Sequence, residues 1–245
     1  MLLRSITKHV REQNWFAVAL DFFIVVAGIL IAFQITNWNE ARGDEKLRVH
    51  YLERLQSDLT QTIDHFSANE GISQQKIETI DAFIANLNNQ DTDENELIRT
   101  TTDYFSSGTP LFDFKVFRST FDDLTSSGKL DILGSDKLST ALVTLNTNYA
   151  DQNEDNLVNT DWVLPADASV VMEFDWFRFD KRTTHLFPSK SSKQILSDIR
   201  LNEDRLRRHA GVHYAIGLGL KRDFREMVNQ SQEALDLVNE ALEKR

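Results

Sequence analysis

Two places in the chain combine residue types that could do chemistry. Asp21 lies within an apolar segment that extends from Trp15 to Trp38, and His209 and His213 stand four residues apart in a stretch with helical periodicity. An acid inside a membrane span is costly to leave facing lipid, so Asp21 is a candidate functional residue. Two imidazoles four residues apart share one face of a helix, a spacing that metal sites use. The pair lacks the glutamate of an H-E-x-x-H motif, and a third ligand would have to come from another helix. We therefore predict packing or surface histidines, with no metal and no other cofactor.

The apolar segment around Asp21 has the length and composition of a transmembrane helix. It holds 13 Leu, Ile, Val and Phe residues between Phe16 and Ile35. These contribute roughly 4–8 kcal/mol to insertion, against a cost of about 3 kcal/mol for a central Asp. At about 1.5 Å per residue, residues 15–38 span roughly 35 Å, slightly more than a hydrocarbon core of about 30 Å, so Trp15 and Trp38 are predicted interface anchors. No A-x-A-like site follows the segment, which favours an uncleaved anchor over a secretory signal.

One face of this predicted helix combines the acid with small residues. On a helical wheel, six positions lie within an arc of about 80°; they are Ala17, Asp21, Ile24, Gly28, Ala32 and Ile35. The Gly28-x-x-x-Ala32 pair permits a second helix to approach closely. Three interpretations stay open for this seam: a packing surface with Asp21 protonated or hydrogen-bonded across it, a proton relay, or an acid near the interface that reaches water.

The charge distribution separates the chain into three parts. Residues 1–14 form a short basic tail, and residues 39–245 hold 24 of the 27 basic and 36 of the 38 acidic residues. Basic residues are equally frequent just before and just after the span, but a short basic N-terminus ahead of the first apolar segment favours a cytoplasmic N-terminus. A net charge of -11 argues against a nucleic-acid surface, and the absence of cysteine excludes disulfide frameworks and thiol catalysis.

The acidic part has helical periodicity, and the predicted fold class is all-α. An amphipathic stripe from Asp44 to Phe66 continues from the membrane helix as a stalk, Gly71 is predicted to break it, and Ser135 is a predicted N-cap. Residues 162–191 contain two prolines and form the least regular segment, and no useful period-2 alternation appears. The predicted architecture is an antiparallel helical bundle after the stalk.

Two short strings resemble a family of bacterial single-pass membrane proteins of unknown function. The run Val26–Glu40, VAGILIAFQITNWNE, is similar to a G-[IV]-x-[IV]-[AG]-x-Q-[IV]-x-N-W-N-E pattern at the end of that family's N-terminal helix, and FDDLTSSGKL at residues 121–130 resembles its helix, Ser-Gly and apolar turn. The family often carries an acid seven positions before the glycine, here Asp21. The resemblance implies an inner-membrane anchor followed by a helical domain, and it implies no reaction.

Two classes of function remain after this reading. The first is a non-enzymatic membrane-anchored module that forms a homo-oligomer through its span and presents a periplasmic interaction domain to a partner. The second is a proton-coupled or gating subunit that works with a multi-span membrane protein through Asp21. Only this second class predicts that Asp21→Asn abolishes function without loss of expression or assembly. No G-x-S-x-G motif, phosphate-binding loop or nucleophile arrangement indicates an enzyme.

Overall fold

The structure is a computed structural model that describes residues 15–180, 183–187 and 189–244. The predicted basic tail, residues 1–14, lies outside the described residues. The chain divides into two compact units, residues 1–51 and residues 52–245. The elements in chain order are α1 (Trp15–Asn88), α2 (Glu94–Ser107), α3 (Ser119–Ser126), a 3₁₀ turn (Leu130–Leu133), α4 (Asp136–Glu173), β1 (Phe177–Asp180), β2 (Thr183–Leu186), α5 (Ser192–Leu201) and α6 (Glu203–Glu243). The all-α class is confirmed, with one short hairpin added.

In the first unit, the described residues form the N-terminal part of α1, and their side chains are largely exposed. Among the described residues, one helix is long and apolar enough to cross a membrane, with a mean hydropathy of 1.6 and none of that window buried. The exposed residues include large apolar ones such as Phe22, Phe23 and Phe33. A long run of exposed apolar side chains on a helix is typical of a segment that lipid covers.

The second unit corrects the predicted helix break at Gly71. α1 continues through that glycine to Asn88, so the two helices expected on either side of it are one. A glycine inside a helix costs only about 1 kcal/mol relative to alanine. The buried stripe persists across it, with Phe66 before the glycine and Ile77, Ile80 and Phe83 after it, and this burial outweighs the cost.

Long helices of the second unit pack side by side in opposite directions. Along α1 and α6, Gln56 donates a hydrogen bond to Asn239 (2.7 Å), Ser73 to the carbonyl of Gly217 (3.0 Å), and Arg207 to Asn88 (2.8 Å). Residue numbers rise along α1 as they fall along α6, so the two helices are antiparallel. Apolar side chains are buried between these two helices, as where Phe66 contacts Phe224 with ring centroids 5.9 Å apart.

The segment 162–191 is more regular than predicted. α4 extends to Glu173 with Pro165 inside it, and β1 and β2 then form an antiparallel hairpin in which Phe177 pairs with Leu186. Pro165 removes one helical N–H donor, but buried Val163 and Val170 hold the helix on both sides of it. The strands have only four residues each, too few for period-2 alternation to be recognised in the sequence.

One local prediction is confirmed within the second unit, and one close helix contact is added. The Ser135 side chain accepts a hydrogen bond from the Leu138 N–H (3.2 Å), so Ser135 caps α4. α1 and α6 approach closely at Gly217, where a Cβ would lie 3.2 Å from Cγ1 of Ile77.

Candidate functional site

The predicted membrane seam and anchors belong to the first unit. Ile24, Ile35 and Trp38 are exposed, and a Cβ at Gly28 would have no atom within 4 Å, so this face has room for another helix. Ala32 is also exposed. The predictions for Trp15, Ala17 and Asp21 concern side chains outside the described part of the chain. The seam's role in packing remains a prediction.

The predicted histidine pair lies in the second unit and is buried, with an acid beside it. His209 and His213 stand one turn apart on α6, and their ring centroids are 4.5 Å apart. Both Nε2 atoms point to the same carboxylate oxygen, Oδ1 of Asp167 on α4, at 2.9 Å from His209 and 2.6 Å from His213. The side chains of both histidines are about 5% exposed, so the contact between α4 and α6 is closed to most solvent.

Two further polar side chains complete the group that we call the Asp–His cluster, which comprises Tyr104, Thr109, Asp167, His209 and His213. The Tyr104 hydroxyl lies 2.7 Å from Nδ1 of His209, and Thr109 donates a hydrogen bond to Oδ2 of Asp167. Tyr104 comes from α2, so α2, α4, α6 and the loop after α2 all contribute to the cluster. Every member therefore has a hydrogen-bond partner within the cluster, as buried polar groups require.

The loop that carries Thr109 is set by the end of α2. Gly108 follows the helix with φ +69°, a left-handed conformation that a side chain would strain, and it turns the chain towards α4. Lys76 on α1 donates to the carbonyls of Ser107 and Gly108 and holds this turn. Burial lowers the pKa of Lys76. The lysine thus positions Thr109 without touching the cluster's carboxylate.

The electrostatics of the cluster favour an ionised Asp167. Burial raises the pKa of Asp167, but the hydrogen bonds from His209, His213 and Thr109 outweigh burial and hold this pKa well below its usual range. Burial and the charge of Asp167 raise the pKa of Tyr104 far above its usual range, so Tyr104 stays a neutral phenol. When Nε2 of His209 carries the proton that faces Asp167, Nδ1 of His209 accepts a hydrogen bond from the Tyr104 hydroxyl.

A small cavity of about 130 Å³ adjoins the cluster. Its walls are mainly apolar and include Phe105, Val170 and Phe177, and the cluster supplies the polar side. The Phe105 ring stacks on His209 with centroids 6.0 Å apart. A cavity with an apolar wall and a few convergent polar groups is the usual form of a small-ligand site.

The cluster also has the composition of a metal site. Two imidazole nitrogens and one carboxylate oxygen lie within 4.8 Å of one another. Alternatively, the group can act as a hydrogen-bond network that joins α4 to α6 without an ion. Both arrangements use the same atoms.

Sequence reasoning identified the histidines and missed Asp167, Tyr104 and Thr109. Asp167 supplies the third ligand from another helix that the isolated pair lacked. It was hidden because residues 162–191 were predicted to be irregular, which removed Asp167 from any helical face. Leu206, Ala210 and Leu220 are buried along the histidines' face of α6, and this apolar periodicity was the available signal that the histidines are buried too.

Comparisons with known proteins agree with the resemblance at the N-terminal half of the chain. A family model described as a family of unknown function, DUF6090, matches residues 21–155. No curated protein and no solved structure matches the chain. The matched range includes Tyr104 and Thr109 but ends before Asp167, so the family carries no statement about the Asp–His cluster. Because the match covers more than half of its 245 residues, the chain belongs to the DUF6090 family.

Proposed function

We propose that this protein is a non-enzymatic, membrane-anchored helical module. In the proposal, residues 15–38 cross the bacterial inner membrane once, the N-terminus is cytoplasmic, and an antiparallel helical bundle lies in the periplasm as an interaction domain. The span forms a homo-oligomer through its small-residue seam. The chain's partners are therefore the bilayer, further copies of itself and a protein or ligand at the periplasmic domain.

One observation carries the anchoring step. The described side chains from Phe22 to Trp38 present a long run of large apolar groups, and none of the apolar window is buried by protein. In water, a patch of this size would drive aggregation, whereas lipid covers it at a gain in free energy. Anchoring in a bilayer is the arrangement that accounts for it.

The oligomer step is supported by the shape of the helix surface at Gly28. No atom lies within 4 Å of a Cβ placed there, and Ala32 is one turn further along the same face. Between helices in lipid, association depends on close backbone approach, because burial of apolar side chains gains nothing over lipid tails. A leucine at Gly28 would hold the two backbones apart.

The test is the mass of the full chain in lipid nanodiscs by native mass spectrometry. We expect an oligomer for the wild type and a shift towards monomer for Gly28→Leu. Ala19→Leu is the matched control, because residue 19 lies opposite Gly28 on the helical wheel and the substitution adds a similar apolar side chain. A wild-type monomer, or equal dissociation by both variants, would refute oligomerisation through the seam.

The acid at position 21 favours a second candidate, a proton-coupled or gating subunit of a membrane complex. An ionisable residue within a span is retained at a cost of about 3 kcal/mol, which a proton-transfer role would justify. This candidate predicts that a multi-span protein co-purifies with the chain. It also predicts that Asp21→Asn fails to complement a deletion strain although the complex still assembles. Full complementation by Asp21→Asn would exclude it.

A further inference from the structure

We propose that Asp167, His209 and His213 form a binding site for a divalent transition-metal ion of the Zn²⁺ type. The inference is independent of membrane anchoring, since all three residues belong to the second unit. It also goes beyond an interaction module, because it assigns an inorganic ligand to the helical domain.

The donor set selects the class of ion. Two imidazole nitrogens and one carboxylate oxygen suit Zn²⁺ and its first-row neighbours, whereas Ca²⁺ and Mg²⁺ require six or more oxygen ligands. A carboxylate ligand such as Asp167 would bring one negative charge that offsets part of the ion's charge. Three protein ligands are the number found in zinc sites that keep one position open.

The three candidate ligand atoms lie close enough together for side-chain adjustment to admit an ion. Bonds of about 2.0–2.1 Å in a tetrahedral site place neighbouring ligand atoms roughly 3.3 Å apart. The two Nε2–Oδ1 distances are 2.9 and 2.6 Å, so these pairs would lengthen by about 0.4–0.7 Å, and all three ligand atoms lie within 4.8 Å of one another. An ion would replace the protons that now lie between each imidazole and the carboxylate. Metal binding at Nε2 would therefore require each neutral imidazole to carry its proton on Nδ1, and a doubly protonated imidazole would release one proton.

Tyr104 and Thr109 are placed to orient the ligands. With Nε2 of His209 on a metal, the His209 proton moves to Nδ1, which lies 2.7 Å from the Tyr104 oxygen and can donate to it. Thr109 donates to Oδ2 of Asp167 and leaves Oδ1 directed at the histidines. Such outer contacts fix the tautomer and ring orientation of metal-binding histidines in known sites.

The ion's remaining coordination position would face the cavity of about 130 Å³. It has space for a water molecule or a small anionic ligand on the ion, and Phe105 and Val170 limit solvent access from their side. Because the ligands come from α4 and α6, the ion would also link these two helices, joining Asp167 to His209, which lies 42 residues later in the chain.

The experiment is calorimetric titration of Zn²⁺ into the full chain in phosphatidylcholine nanodiscs, with an affinity tag that contains no histidine. We expect one Zn²⁺ per chain, and we expect Co²⁺ to give the visible absorption of a tetrahedral site. His213→Gln should abolish stoichiometric binding. His185→Gln is the matched control, since His185 is an exposed histidine on β2 and its loss should leave binding unchanged.

A second variant keeps the test informative if His213→Gln unfolds the domain. Tyr104→Phe retains the ring and its stacking on Phe83 (centroids 4.7 Å apart) and removes only the hydroxyl that orients His209. It should weaken Zn²⁺ binding by about 10- to 100-fold. Absence of stoichiometric Zn²⁺ binding by the folded wild type would overturn the proposal and leave the cluster as a hydrogen-bond network. That result would not affect the proposed membrane anchor.

Discussion

The close approach of α1 and α6 at Gly217 gives a sharp test of the packing in the helical domain. A Cβ on this residue would lie 3.2 Å from Cγ1 of Ile77, and the Ser73 hydroxyl donates to the Gly217 carbonyl at 3.0 Å. Two helix backbones are therefore held together at this point. Gly219 lies two residues further along α6, and a Cβ there would meet no atom within 4 Å. The two glycines differ in their surroundings while they share one helix.

The expected effect of alanine at each position follows from two opposing terms. Alanine in a helix interior is favoured over glycine by about 1 kcal/mol at either site. At Gly217 the added methyl also crowds the γ-carbon of Ile77, which lies near the branch of that side chain, and overpacking of this kind costs about 1–3 kcal/mol. Gly219→Ala should therefore stabilise the domain, and Gly217→Ala should be less stable than Gly219→Ala by about 1–3 kcal/mol.

The assay is thermal unfolding of the full chain in nanodiscs, followed by loss of the helical circular-dichroism signal. For a domain of this size, the difference corresponds to roughly 2–12 °C in Tm between the two variants. Wild-type protein supplies the reference, and Gly219→Ala should melt above it. If Gly217→Ala and Gly219→Ala raise Tm equally, α1 and α6 are not in tight contact at Gly217 and the packing described above is incorrect.

Two further predictions concern the aromatic core and one surface charge cluster. Trp176 is 1% exposed, whereas Trp162 is 74% exposed. In urea denaturation, Trp176→Ala should lower the free energy of unfolding by about 3–5 kcal/mol, while Trp162→Ala should change it by less than about 0.5 kcal/mol. Similar losses from both substitutions would contradict the assigned core. Lys190 lies 2.7 Å from Asp175, and its hydrogen bond holds the pKa of the Asp175 carboxyl below its usual range. The carboxylates of Asp175 and Asp198 in turn raise the pKa of Lys190. The contribution of Asp175 to folding stability is present above its ordinary pKa of about 4 and is lost as the pH falls below it. The contribution of Lys190 to folding stability is present below its ordinary pKa of about 10 and is lost as the pH rises above it. The Tm deficit of Lys190→Met should therefore be constant near neutral pH and shrink at both extremes, and a deficit that does not vary with pH would show that the ion pair does not cause it.

The long apolar N-terminal helix and the main helical stripes could be predicted because their signals are local. The apolar run from Trp15 to Trp38 and the repeat of buried residues at Leu52, Leu55 and Leu59 each lie within a few turns of one helix. The Gly71 break was wrong because local glycine propensity is weaker than the burial of the stripe on both sides. Local rules decide an element only where no tertiary contact opposes them.

The Asp–His cluster could be predicted only in half, because its members are distant in the chain. His209 and His213 can be recognised as a pair on one helix. Asp167, however, lies 42 residues before His209, and Tyr104 lies 105 residues before His209. Their meeting depends on the alignment of α4 and α2 with α6, which no single segment encodes. The Pro165 signal also misdirected the reading, since it pointed to irregular chain where α4 continues.

The most direct test of the proposed membrane-anchored module is cysteine labelling in intact bacterial cells. The chain contains no cysteine, so Ser5→Cys in the tail and Met172→Cys at an exposed site on α4 each introduce a unique thiol. A maleimide that does not cross the inner membrane should label Met172→Cys in intact cells and Ser5→Cys only after lysis. Labelling of both thiols, of neither, or of Ser5→Cys alone in intact cells would contradict a single-pass anchor with a periplasmic helical domain.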